Sequence, residues 1–368
     1  MSYITAVGTA TPENKFSQNT LADFMVKAMQ LDYENSRKLK TIFRASGIET
    51  RYSVLDDYGK EKNFTFYPNT HDFEPFPSTK ERVNAFRTHA LTLSISAADR
   101  AFENIPAFDR SKITHLIVVC CTGMYAPGLD IDLVKSLKLS PSVQRTCITF
   151  MGCYAAFNAL KVADAFCKAE SDAKVLIVCT ELCSLHFQKR PTEDNLLSNA
   201  IFADGSAAVI MESISTSKLK LKPERFHSEL VEGSEQEMAW AIGNVGFEMK
   251  LSTYVPGVIK GGVRNLTDVL LTKLSKQIKE IKFFAIHPGG KKILEVIEQE
   301  LMISKEKNSS AYTVLKNFGN MSSPTVLFVL QDVIKRIDSN DNGQHILSLA
   351  FGPGLTLESM VLKIELDS

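Results

Sequence analysis

A chain of 368 residues is larger than a single hydrophobic core usually is, so two domains or two fused halves are expected. With 44% hydrophobic and 23% charged residues and only 13 prolines, the composition excludes a disordered or fibrous chain. Lys plus Arg and Asp plus Glu balance at 42 each, which argues against a long-range field that gathers nucleic acid or an anionic membrane, so an anionic ligand has to be held locally.

In chain order, the opening MSYITAVGTATPE shows no basic stretch followed by an apolar core, and no later run approaches the ~18 apolar residues that span a bilayer. Neither signal peptide nor anchor is expected. The basic segment SRKLKTIFR offers Arg37, Lys38, Lys40 and Arg44 as local cations, or simply a solvated helix face. ITHLIVVCCTG, TCITF, CYAAFNALKVADAFCKAE, KVLIVCTE and FADGSAAVIME then read as strand, strand, helix, strand and a hairpin-like stretch. After a polar stretch near residue 215 come the helical VRNLTDVLLTKLSKQI, the strand KFFAIHP, the helices KKILEVIEQEL and PTVLFVLQDVIKRI, and the strands HILSLAFGPG and LESMVLKIEL. The fold class is therefore α/β, with related halves at 1–218 and 219–368, although no identity between them is visible.

The seven cysteines lie mostly in apolar runs, show no CxxC spacing and are odd in number. Reduced thiols are expected, with cytoplasm as the default compartment and Cys120, Cys167 and Cys179 as small core residues. Cys153 differs: in TFMGCYAAF a β-rich segment passes through Gly152 into a helical pattern, and a helix N-terminus favours thiolate over thiol. His287 ends a buried-looking strand before Pro-Gly-Gly, a strand-tip position where α/β folds place chemistry. Asn320 lies in NFGNMSSPTVLFVL, where Gly319 and Ser-Ser-Pro make a loop and cap before an apolar helix. Taken singly, these three read as a core thiol, a satisfied histidine and a turn asparagine. Together, a thiolate, an imidazole and an amide donor suit acyl transfer followed by decarboxylation.

GCYAA around Cys153, IFADGSAAVI, IHPGGKKIL, GNMSSPTVLFVL and FGPGLTLES, in that order, resemble the type III polyketide synthases, the chalcone synthase family of the thiolase superfamily. The resemblance spans nearly the whole chain. It implies a thiolase-like, five-layered αβαβα core in a cytoplasmic homodimer, no metal, no bound organic cofactor, and CoA thioesters as substrates. It also implies an acyltransferase that loads an acyl-CoA starter on Cys153, extends it iteratively by decarboxylating malonyl-CoA, and cyclises the product as a pyrone or phenolic ring. His287 would stabilise the thiolate as an ion pair, and both His287 and Asn320 would donate to the thioester oxygen.

By the same resemblance, Phe202 guards the junction between CoA tunnel and reaction cavity, and Met249 stands where plant members carry a second gating phenylalanine. Cys121, Cys183, Leu185, His186, Ser198 and Ser322 fall at cavity-shaping positions, with His186 in place of a smaller hydroxyl residue. Ala126 matches a residue that reaches across the dimer. Lys38 aligns with a CoA-phosphate ligand, and Arg44 lies nearby. The substituted cavity favours a fatty or short aliphatic starter over an aromatic one.

Three other readings were weighed. A single-condensation enzyme of the ketoacyl-ACP synthase III type shares the residue types but carries a histidine-glutamine pair before its asparagine motif instead of HPGG. Hydroxymethylglutaryl-CoA synthase needs a glutamate base near the cysteine, and TFMGCYAAF offers none. A non-catalytic chain-length partner usually lacks the cysteine that is present here.

Overall fold

The computed structural model describes residues 1–215 and 217–367; Thr216, in the polar stretch expected between the halves, and the final Ser368 lie outside them. Nine strands form one mixed sheet, ordered Phe283–Ile286, His345–Gly352, Thr356–Leu366, Leu219–Leu230, Tyr3–Ala10, Asp204–Glu212, Lys174–Leu182, His115–Cys120 and Gln144–Thr149. The same arrangement occurs twice. Tyr3–Ala10 pairs antiparallel with Asp204–Glu212, which pairs antiparallel with Lys174–Leu182, which runs parallel to His115–Cys120. Leu219–Leu230 stands likewise beside Thr356–Leu366, then His345–Gly352, then, in parallel, Phe283–Ile286. A single register pair, Ile4 opposite Leu221, joins the two half-sheets. The repeat that is invisible as identity is present as topology.

The central strands read as continuous apolar runs because both faces of the sheet are buried. In His115–Cys120 the pleat sends Leu116, Val118 and Cys120 to one core and Ile117 and Val119 to another. The first core lies under helix Thr79–Glu103, which starts at a capping box made by Ser78 and Glu81. The second holds helices Ala155–Ala169 and Thr325–Ile334, each preceding the penultimate strand of its half. Helix Thr325–Ile334 is apolar nearly all round, as a helix packed on every side must be. Helices Val255–Thr272 and Lys291–Leu301 cover the far half-sheet and complete the five αβαβα layers.

FADGSAAVIME is not a hairpin: Asp204–Glu212 is one strand paired on both sides. Gly205 makes no turn but admits Met321, whose Sδ would lie 2.3 Å from a Cβ there. The helix expected over VRNLTDVLLTKLSKQI begins earlier, at Val255, with Pro256 in its first turn, where a missing N–H costs nothing. Strand Tyr3–Ala10, helix Thr79–Glu103 and the hairpin Met238–Gly243 with Gly246–Leu251 were not expected. Among the described residues no helix is long and apolar enough to cross a membrane.

Gly8 brings strand Tyr3–Ala10 against helix Thr79–Glu103 so closely that a Cβ would lie 2.3 Å from both Ala101 N and Ala97 O. Backbone atoms cannot give way as a flexible side chain can. Gly8→Val should therefore cost about 3 kcal/mol or more of stability, the upper range for overpacking, read from urea unfolding; a loss under about 1 kcal/mol would contradict the close contact.

Candidate active site

Cys153 sits in the tight turn Gly152–Tyr154, between strand Gln144–Thr149 and helix Ala155–Ala169. Gly152 has φ +72°, and a Cβ there would lie 2.4 Å from Pro353 Cδ, so both conformation and space demand glycine. Across the seam, a Cβ on Gly352 would lie 2.8 Å from the Tyr154 ring. The FGPG segment of one half thus seats the nucleophile turn of the other. The Gly152 N–H donates to Cys121 Sγ at 3.1 Å.

Asn320 reaches the site from the loop before helix Thr325–Ile334. Its backbone forms a parallel bridge with the Phe202 segment: the Asn320 N–H donates to Ile201 O, and the Ala203 N–H to Asn320 O, each at 2.9 Å. Oδ1 accepts the Ser322 N–H at 2.8 Å, which orients the amide. Nδ2 then lies 3.9 Å from Cys153 Sγ and 3.5 Å from Gly289 O. The expected Ser-Ser-Pro cap differs in detail: Pro324 occupies the cap position without a side-chain bond, and the Thr325 hydroxyl accepts the Met321 N–H.

His287 extends the pairing of strand Phe283–Ile286 through its N–H to Leu349 O at 2.8 Å, and its fully buried ring meets the Phe351 ring edge-on. Neither ring nitrogen has a hydrogen-bond partner among the described residues. Buried polar atoms left open in this way mark a place where a ligand supplies the partner. Burial pushes the Cys153 thiol up to about 11, against lowering by Ser322 and Asn320, and brings His287 down to about 3. Burial thus favours thiol and neutral imidazole, working against the thiolate and imidazolium expected from the sequence.

Beneath them Glu181 is fully buried and accepts the Cys121 N–H at 2.9 Å and the Thr122 and Ser323 hydroxyls at 2.7 Å each. Burial lifts its carboxyl to about 7. These bonds tie the Cys121 loop to the Asn320 loop.

A cavity opens onto Cys153, His287 and Asn320, and Lys291 and Lys292 also line it. Beyond it lie a narrow recess with Cys121, Cys183 and Ser322 on its wall, and another with Cys183, His186 and Ser198. Phe202 borders all three spaces. Met249 borders only the inner recesses and an outer groove, whereas Met238 shares with Phe202 and Cys153 the boundary between outer cavity and inner recess. Leu185 lines none of these spaces; it is fully buried in the core beside helix Thr79–Glu103.

His186 is saturated: its Nε2 bonds Thr122 O at 2.7 Å, its Nδ1 accepts the Phe247 N–H at 3.0 Å, and its ring stacks on Phe247. It walls the recess with a ring face and has no nitrogen free for a substrate. Trp240, which donates to Cys121 O at 3.0 Å, packs edge-on against both rings. Lys38 and Arg44 are exposed on helix Tyr33–Ala45. Lys38 shares a helix face with the cavity-lining Ile42 and Ala45, whereas Arg44 turns back to Lys40 O and Thr41. Ala126 is exposed in its loop. Sequence reasoning missed Met238, Trp240, Phe247, Lys291 and Lys292; the lysine pair directly after HPGG was the available signal.

Two halves of like topology that meet at a cysteine turn and an asparagine loop define the thiolase-like fold of condensing enzymes. The N-terminal domain of the chalcone and stilbene synthases matches residues 1–214 and their C-terminal domain residues 224–365. The chain is 32% identical over 370 residues to the alpha-pyrone synthesis polyketide synthase-like Pks18 of Mycobacterium tuberculosis, covering 99% of this chain and 91% of that one. The structure of PKS-I from the brown alga Ectocarpus siliculosus superposes with a TM-score of 0.90 at 30% identity over 98% of each chain. The type III polyketide synthase domain of Steely1 from Dictyostelium superposes at 0.89 and 32% identity, covering 98% of this chain and 99% of that one. This chain belongs to the chalcone and stilbene synthase family, the type III polyketide synthases.

An unfolded chain protonates His287 near 6.5, whereas the folded chain resists until about 3, so this group removes stability as pH falls through that window. His287→Gln should abolish its share. Between pH 6.5 and about 5, urea unfolding should show the wild type losing about 2 kcal/mol more than the variant; parallel losses would contradict a neutral buried imidazole.

Proposed function

We propose that this type III polyketide synthase loads an acyl-CoA starter on Cys153 and extends it with malonyl-CoA, with His287 and Asn320 as the electrophilic donors. The observation that carries the reading is the open donor set: Nδ2 of an oriented Asn320 lies 3.9 Å from Cys153 Sγ, and His287 shares the cavity with both ring nitrogens unpartnered. We infer that His287 takes the Cys153 proton as the starter docks and passes it on to the departing CoA thiolate. The thiolate displaces CoA and becomes an acyl thioester. Malonyl-CoA then loses carbon dioxide, and the two donors hold the oxygen of the resulting enolate. The enolate carbon attacks acyl-Cys153, expelling the thiolate and leaving a β-ketoacyl-CoA that can be reloaded. The CoA thioester itself activates the carbonyl, so the chemistry asks for no resident metal or organic cofactor.

Lys291 and Lys292, which line the cavity, and Lys38 on the facing helix would hold the CoA phosphates in this reading. The narrow inner recess, walled by Trp240, Met249 and Met238, suits a flexible aliphatic starter better than a flat aromatic one. A pyrone product fits the relative named for alpha-pyrone synthesis. The half-exposed edge strand Gln144–Thr149 offers a surface for a homodimer, and seven free thiols fit a reducing cytoplasm.

The test is incubation with malonyl-CoA and starter CoA esters from acetyl through long acyl to aromatic, with products read by mass spectrometry. Aliphatic starters should gain two or more two-carbon units. Single extensions would point to a ketoacyl synthase, and preferred turnover of aromatic starters would sink the aliphatic assignment. Cys153→Ala should abolish condensation, and His287→Gln and Asn320→Ala should each lower the rate ~10²-fold or more. Replacing Lys291 and Lys292 with Glu should raise KM for the CoA ester about tenfold or more with little change in kcat; an unchanged KM would remove them from the phosphate site.

A further inference from the structure

Arg51 is 3% exposed, yet no carboxylate among the described residues pairs with it. The nearby carboxylate, Asp204, is already taken by the Ser184 N–H and hydroxyl and by the Val54 N–H. The guanidinium Nε donates to Gln18 Oε1 at 2.9 Å, and Nη1 donates to Asn199 O at 2.8 Å and Phe202 O at 2.5 Å. Nη2 is buried with no partner. Burial lowers the group only to about 10, so it remains a cation at neutral pH.

This cation lines the recess at His186 and Ser198, whose other walls include Tyr58, Met25 and Phe247. The recess shares Phe202, Cys183, Trp240 and Met249 with the smaller one at Cys153, so an acyl chain growing on Cys153 points toward it. Met249 and Met25 are unbranched and can move aside for an entering chain. The guanidinium lies 5.4 Å over the Phe43 ring and feels Asp204, but a largely apolar pocket that leaves its Nη2 without a partner is poorly matched to a plain alkyl chain, because that donor stays unpaired. It is well matched to a chain bearing paired oxygen acceptors.

We propose that Arg51 forms a subsite behind Phe202 that binds the 1,3-dicarbonyl oxygens of an extended β-ketoacyl chain through the free Nη2. The enol or enolate form of such a chain concentrates negative charge on two oxygens, which the guanidinium plane can meet. No bond forms or breaks there. The subsite holds intermediates that have already been extended and disfavours saturated chains of equal length.

The proposal rests on the polyketide reading, and its test separates the two. Wild type and Arg51→Lys are assayed with malonyl-CoA and either 3-oxobutanoyl-CoA or butanoyl-CoA, after a circular-dichroism melt shows the variant folded. The wild type should favour the 3-oxo ester in kcat/KM by about tenfold or more, the scale of one charge-assisted hydrogen bond, and the variant should bring the ratio near one. Equal wild-type use of both esters, or an unchanged ratio in the folded variant, overturns the subsite alone. Failure to extend either ester overturns the polyketide reading and the subsite with it. Because Arg51 also holds the carbonyls of Asn199 and Phe202, a second arm needs no variant. Pentane-2,4-dione should inhibit wild-type condensation about tenfold better than pentan-2-one, and equal inhibition would refute the proposal.

Discussion

The site depends on one steric constraint: two backbone turns from opposite halves of the chain touch where neither can carry a Cβ. Gly152 faces the Pro353 ring and Gly352 faces Tyr154, so the cysteine turn is held by the C-terminal half as well as by its own bond to Cys121. The Asn320 loop is fixed in the same way, by its bridge to Ile201 and Ala203 in the N-terminal half. Cys153 and Asn320 are thus each held by the half they do not belong to, whereas His287 is held within its own half by Leu349. The doubled topology gives this arrangement its reason, since the central helices Ala155–Ala169 and Thr325–Ile334 hold corresponding places and share one core.

Burial sets the electrostatics of that seam. Thiol, imidazole and carboxyl at Cys153, His287 and Glu181 are all moved toward their neutral forms by desolvation. A site whose burial disfavours charge on its own groups leaves charge to appear with the substrate, where oriented donors such as Asn320 Nδ2 are worth more than they would be in water. Cationic groups are kept at the cavity, on Lys291 and Lys292, and at the far recess, on Arg51. A chain with no net charge places its positive groups where a CoA ester and its acyl chain would pass.

The three central residues were legible because each lies in a short glycine-bearing segment at an element boundary, and such segments keep their meaning without tertiary context. Most strands of the apolar middle were legible for a related reason, since continuous β-branched runs must be buried on both faces. The hairpin Met238–Leu251 was not. Its Met238 and Trp240 alternate onto one face, a visible period-2 signal, but both strands are half exposed, Glu248 and Lys250 interrupt the second, and only tertiary packing brings that face to the reaction recess. Leu185 was misplaced because its neighbours Cys183 and His186 do line the recess, while the turn Cys183–His186 rotates Leu185 into the opposite core. Arg51 was silent because a buried cation in RYSVL looks, in sequence, like a surface one. The desolvation that opposes the expected thiolate was not legible, because sequence shows the helix N-terminus but not the depth of burial.

The most direct test is to incubate the purified protein with an acyl-CoA starter alone, digest it under acidic conditions and map the acyl mass by peptide mass spectrometry. The starter mass is predicted on the peptide carrying Cys153 and on no other, with release as an extended product when malonyl-CoA is added. Acylation at Cys121 or Cys183 instead, or no acyl-protein in an enzyme that still forms product, would contradict the account.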